Sequence, residues 1–265
     1  MMAAMVHRRK VLVRLGQVTI GLALTPACKP TVAPAPPQPI PPAPTQTGAT
    51  MPQPTAALFV DLTHDVICPW CRIGHHNLRT ALGNWQGAPV EVRLHPYLLD
   101  PSVPSEGVDL RARLAERYGA AQLDAMFARV TQVGAGYGIK FDFNKIRRTP
   151  DTTLAHALIL AAPAATQSDL LDAIHRAYFE QGADIGAAAV LQAAWLEVGL
   201  PLTQAVDAMA DAGARAQVRQ LAETASKKGL NGVPHFELHG PGGNVVLQGG
   251  QAPDAIRAAL RHAAG

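Results

Sequence analysis

Cysteine is scarce in this 265-residue sequence, with only three, too few for a scaffold held together by disulfides. No second C-x-x-C and no spaced histidine pair accompanies Cys68 and Cys71, so the four ligands of a structural zinc site cannot be assembled. Covalent haem attachment needs histidine directly after the second cysteine, where Arg72 stands. No metal and no cofactor is therefore expected. Acidic residues are missing from the first 27 positions, which hold Arg8, Arg9, Lys10 and Arg14. Without those four charges the formal +3 becomes −1, so the body has no basic surface and no nucleic-acid partner is expected. The apolar run at 15–25 is shorter than the about 20 residues a membrane-crossing helix needs.

What that first segment does have is the order of an export signal. A basic stretch precedes a short apolar run, which ends at Pro26-Ala27-Cys28. Leu24, Ala27 and Cys28 resemble a bacterial lipobox, with Thr25 and Pro26 departing from its usual residues. Read so, residues 1–27 are removed and Cys28 becomes a lipidated N-terminus; otherwise Cys28 is lost with the peptide or stays a lone thiol. The Arg8-Arg9 pair also suits a twin-arginine signal, which leaves the export route open. Residues 29–55 carry 10 of the 22 prolines, with no aromatic residue and no acid. Such a stretch cannot bury enough surface to fold, and proline biases it to extended chain of about 3 Å per residue. A spacer behind a lipid anchor is the simplest reading, and a proline-rich ligand for a partner domain the other. The expected place is the periplasm or cell envelope, at a membrane.

From there the pattern turns globular. A strand-length apolar run at 57–62 leads into the Cys68 segment, and helical spacing follows from Pro69 to about Trp85. Residues 90–94 alternate like a half-buried strand. After Pro101 the strand signal stops for about 130 residues, replaced by helical stripes. These include Leu170, Leu171, Ile174 and Tyr178; Val190, Leu191, Ala194, Trp195 and Val198; and Val218, Leu221, Ala222 and Ala225. Strands return at 235–238 and 245–247, and a last helix is expected from about Ala252 to His262. The order β-α-β, helical block, β-β-α predicts an α/β thioredoxin fold with a large all-helical insertion between its βαβ and ββα halves. The expected divisions are 1–27 (signal peptide), 28–55 (tether), 56–105 (first half), 106–229 (insertion) and 230–265 (second half).

Chemistry concentrates at Cys68-Pro69-Trp70-Cys71. A sulfur at a helix N-terminus meets unpaired N–H groups and the positive dipole end, which favour a thiolate. Pro69 suits the first helical position, because the N–H it lacks would be unpaired there. Cys71, one turn on, can close a small disulfide with Cys68. A disulfide spanning two residues constrains too little chain to be structural. The pair is thus expected to be redox-active, with Cys68 attacking and Cys71 resolving the mixed disulfide. A second element is Pro234, opening a strand far along the chain. A cis Val233-Pro234 bond, about 0.5–1 kcal/mol above trans, would present Val233 to an extended peptide as an added strand. A trans proline merely opening the strand is the other reading.

These segments resemble the FrnE-like branch of the DsbA family. The likeness runs from Asp65-Val66-Ile67-Cys68-Pro69-Trp70-Cys71-Arg72-Ile73-Gly74 through His95-Pro96-Tyr97-Leu98-Leu99-Asp100-Pro101. It continues through Thr153-Leu154-Ala155-His156 to Gly232-Val233-Pro234-His235-Phe236. The resemblance implies a nucleophilic Cys68, a resolving Cys71 and a cis-Pro234. Trp70 stands where the best-known DsbA oxidants have histidine, which implies a weaker oxidant, since an indole cannot offer an imidazolium's charge. His235 stands where the family usually has an apolar residue. Pro69, Trp70 and His235 are therefore the candidates for tuning the redox pair; the other histidines read as packed or surface residues.

Three functions follow from these readings. The first is an oxidoreductase exchanging disulfides with extracytoplasmic proteins that carry thiols or disulfides, in concert with an unidentified redox partner. The second is an enzyme like the kappa-class glutathione transferases and chromene-carboxylate isomerases, acting on a small molecule. The third is a surface lipoprotein that only binds. Retention of both cysteines favours the first.

Overall fold

The computed structural model describes residues 58–265, so the expectations for the signal, Cys28 and the tether lie outside the described residues. Strand β1 (Leu58–His64) carries the chain into helix α1 (Pro69–Gly83), which returns it to β2 (Val90–Pro96), parallel to β1. Near the C-terminus β5 (His235–His239) and β6 (Val245–Gln248) form a hairpin, and α9 (Pro253–Ala264) closes the chain. The sheet order is β2-β1-β5-β6, with β5 antiparallel to β1. This is a thioredoxin fold whose halves are separated by helices.

Side-chain alternation gives the sheet two different faces. Leu58, Val60 and Leu62 of β1 are buried on one, beside Leu238 and Phe236 of β5 in the same register. Asp61 and Thr63 stand on the other, opposite Glu237 and His235.

The inserted segment contains α2 (Leu110–Tyr118), α3 (Leu123–Ala135), α4 (Thr153–Ala161), α5 (Ala164–Phe179), α6 (Ala188–Glu197), α7 (Leu202–Ala210) and α8 (Ala212–Lys227). Its largest buried residues, Trp195 and Phe179, join the same core as the sheet. The stripes on α5 and α6 face inward as expected, and Gly199, just past the Val198 cap of α6, has φ +79°, a backbone shape that suits glycine.

Two details differ from the sequence reading. The insertion is not purely helical, because β3 (Val108–Asp109) pairs with β4 (Arg148–Thr149). Strands of two residues leave no alternation to read. On α8 the core takes Val218 and Ala222, which pack with Leu98 and Ala157, while Leu221 remains 38% exposed. One helix face is wider than the surface it meets here, so the middle of the apolar stripe is not its buried line.

Candidate active site

Cys68 is the residue that caps α1. Its backbone is still extended (φ −84°, ψ 115°), and its sulfur accepts a hydrogen bond from the Cys71 N–H at 3.4 Å. Pro69 follows in the first turn, where a missing N–H leaves no gap in the helix ladder. The Cys68 thiol donates to the Val233 carbonyl at 3.6 Å, a contact between residues 165 apart in sequence. Both thiols are free. Cys71 has no solvent exposure, and burial pushes its thiol well above its ordinary range, with the neighbouring Cys68 sulfur adding to the shift. The first sulfur thus accepts from an N–H at the head of the helix, while burial holds the second as a thiol.

The Val233-Pro234 peptide bond is cis. Pro234 is buried against α1, and the approach is close enough that a Cβ on Gly74 would lie 2.8 Å from the proline Cγ and 3.0 Å from Phe236. Glycine at position 74 is what lets this helix sit on the proline loop. Gly249 N–H donates to the Pro234 carbonyl at 2.8 Å, and Asn77 donates to the Gln251 carbonyl at 2.8 Å, so the loop after β6 is tied to both.

Trp70 is half-buried, packed on a small cluster with Ile73, Val130 and Ile139. The insertion thereby supports the residue between the two cysteines. His235 places its Nε2 3.3 Å from Glu237 and lines a groove of about 400 Å³ with Thr63 and His95 on the open sheet face.

Sequence reasoning missed two buried polar groups beneath the pair. Arg72 is 5% exposed, pairs with Glu180, and lies 5.0 Å over the Phe141 ring. Asp65 is fully buried and accepts from Leu99 N–H at 2.8 Å, and His156 of α4 stands 3.4 Å from it. Both lie inside motifs already quoted, but nothing local marks a polar residue as buried.

The sequence model of the DSBA-like thioredoxin domain matches residues 59–261, spanning both sheet halves and the insertion. The chain belongs to this family. The DSBA-like domain is similar in structure to a probable DsbA oxidoreductase from Streptomyces coelicolor, with 25% identity and a TM-score of 0.67. That match covers 78% of this chain and 89% of the other. It is also similar to the cytosolic disulfide reductase DsbM from Pseudomonas aeruginosa, with 26% identity and a TM-score of 0.57, over 77% and 97% of the two chains. A 2-hydroxychromene-2-carboxylate isomerase shares the fold alone, at 13% identity and a TM-score of 0.57, over 77% and 94%. None of the curated proteins compared matches this chain.

Proposed function

We propose that this protein is an exported, lipid-anchored oxidoreductase that exchanges disulfides with extracytoplasmic proteins through Cys68 and Cys71. The observation that carries the chemistry is the Cys68 sulfur, set between the Cys71 N–H and the Val233 carbonyl. A substrate sulfur attacking or attacked there leaves a neighbouring backbone edge at Val233, beside Pro234, free to pair with the substrate's extended chain. Two similar structures, a probable DsbA oxidoreductase and a disulfide reductase, support thiol–disulfide chemistry. An isomerase is similar in fold, and fold alone does not choose the reaction; retention of both Cys68 and Cys71 favours dithiol chemistry here.

Equilibration with reduced and oxidised glutathione tests the chemistry. A single two-electron transition between dithiol and Cys68–Cys71 disulfide is expected. Trp70→His should raise the reduction potential by some tens of mV, because an imidazolium stabilises the Cys68 thiolate and with it the dithiol form, at about 30 mV per 1.4 kcal/mol. The shift should shrink as pH rises and the new imidazole loses its charge. An unchanged potential would remove position 70 from the tuning residues.

The anchor rests on the N-terminal sequence. Cys28→Ala should release folded, active protein into the soluble fraction, because the proline-rich composition of residues 29–55, without aromatic residues, is that of a spacer. Absence of an acyl mass on wild-type Cys28 would overturn the anchor and leave the redox chemistry standing.

A further inference from the structure

The first turn of α1 is held from outside the two thioredoxin halves. Arg72 follows Cys71 directly, and its N–H donates to the Cys68 carbonyl at 3.1 Å, closing the turn that carries both sulfurs. Its side chain leaves the helix for a socket on the inserted segment. There the guanidinium pairs with the Glu180 carboxylate and stands 3.5 Å from the His175 carbonyl. It also lies 5.0 Å over the Phe141 ring and 5.7 Å over Phe179. Glu180 caps the C-terminal end of α5, where the helix carbonyls favour a cation. Trp70 and Ile73 of the same turn rest on the insertion too, against Val130 and Ile139.

The socket is itself braced. Asp142 N–H donates to the Phe179 carbonyl at 2.7 Å, and the Phe141 and Phe179 rings meet edge to face with centroids 5.2 Å apart. On α3 a Cβ at Gly134 would lie 2.5 Å from the Phe141 ring, so glycine there lets the ring lie against the helix. The other charges nearby are engaged, Arg176 on α5 by Asp172 and Glu197, and Lys145 by Asp142. Burial pulls the Arg72 guanidinium below its ordinary value and Glu180 opposes that pull, so the side chain stays charged. Parting such a buried pair would leave a charge uncompensated, which makes the contact a firm one.

We propose that Arg72 is the positioning residue of the redox pair, and that Glu180, Phe141 and Phe179 form the socket through which the inserted segment fixes Cys71 relative to Cys68. This rests on the redox-pair reading above and concerns its second step. In the mixed disulfide, Cys68 is bonded to a substrate sulfur. The Cys71 thiol gives up its proton, its sulfur forms a bond to the Cys68 sulfur, and the Cys68–substrate bond breaks. The substrate sulfur leaves with the bonding electron pair and ends as a thiol. Over both steps, two electrons and two protons pass from the dithiol to the substrate disulfide. The second attack is intramolecular, so its rate follows how closely the turn holds the two sulfurs. A turn held tightly completes the exchange, whereas a loosened one leaves the substrate attached to Cys68. The socket therefore favours net oxidation or reduction over the long-lived mixed disulfides that reshuffling needs.

The double variant Arg72→Met/Glu180→Gln empties the socket and removes both charges together, so its effect is one of position and not of net charge. Reduced full-length wild type and variant are mixed with oxidised glutathione and quenched in acid at intervals. Mass spectrometry then counts dithiol, Cys68–glutathione adduct and intramolecular disulfide. The adduct should decay about tenfold more slowly in the double variant. Its formation, timed in a Cys71→Ser background, should be the same with and without the two substitutions. Adduct decay at the wild-type rate overturns the assignment. So does an equal slowing of formation and decay, which is what general loosening of the protein would give. Should the double variant not fold, Phe141→Leu opens one wall of the socket with both charges kept, and the same two rates decide in the same way. Failure of the wild type to form any adduct or any Cys68–Cys71 disulfide would instead refute the redox pair.

Discussion

Cys68→Ser should reduce disulfide exchange to the uncatalysed background, while Cys71→Ser should retain the first attack and accumulate mixed disulfides. The asymmetry follows from placement. Cys68 sits at the head of α1, where the Cys71 N–H points at its sulfur, and a serine hydroxyl in the same place cannot form the covalent intermediate. Cys71 lies below it with no exposure, placed to attack only what Cys68 has already captured. Incubating each variant with a disulfide substrate and measuring intact mass distinguishes them: no adduct with Cys68→Ser, near-stoichiometric adduct with Cys71→Ser. Full activity of the Cys68→Ser protein would end the proposed mechanism. Cys71→Ser should also unfold more easily, by about 1–3 kcal/mol, because it leaves a buried hydroxyl without an assured partner.

Acid should unfold this protein unusually steeply, with stability falling as pH drops below about 6.5. The cause is a set of buried imidazoles, His64 at the end of β1, His75 on α1 and His175 on α5. Burial pushes His64 and His175 well below their ordinary value, helped by neighbouring histidines, and it lowers His75 to about 4. The unfolded chain binds protons at these histidines near pH 6.5, whereas the folded chain refuses them until much lower pH. Their stabilising effect is therefore complete above about pH 6.5 and is lost progressively as pH falls through the folded values. His75 alone accounts for about 3 kcal/mol by pH 4, against a typical domain stability of about 5–15 kcal/mol. Urea unfolding at intervals between about pH 4 and 8 measures the slope, and a flat profile would contradict the buried neutral imidazoles. His175→Leu should flatten it in part, since neither nitrogen of that ring has a hydrogen-bond partner.

Much of the site was legible in the chain because its chemistry uses neighbouring residues. Cys68, Pro69 and Cys71 declare a helix start and a reactive sulfur together, and those reasons hold whatever the rest of the protein does. Pro234 at a strand entrance was equally visible. The Arg72–Glu180 pair and the Asp65–His156 pair were not. Each joins residues about a hundred positions apart, and a polar side chain reads as exposed until a packed surface is laid over it. The same limit explains Leu221, whose helical spacing matches that of Val218 and Ala222 but whose side chain borders the groove beside His95.

Periodicity and punctuation along the chain are local properties, so they were enough for the β-α-β, helical, β-β-α order, for the placement of Cys68 and Cys71 at the head of a helix, and for expectations about a redox pair, an export signal and a tether. Pairing β1 with both β2 and β5 was a three-dimensional event, as was pressing Gly74 onto Pro234. It brought the Val233 carbonyl to the Cys68 sulfur across 165 residues and moved a helix of the insertion under the redox loop, with His156 facing Asp65. Those contacts depend on which surfaces exclude water together, and no window of sequence contains both sides of them.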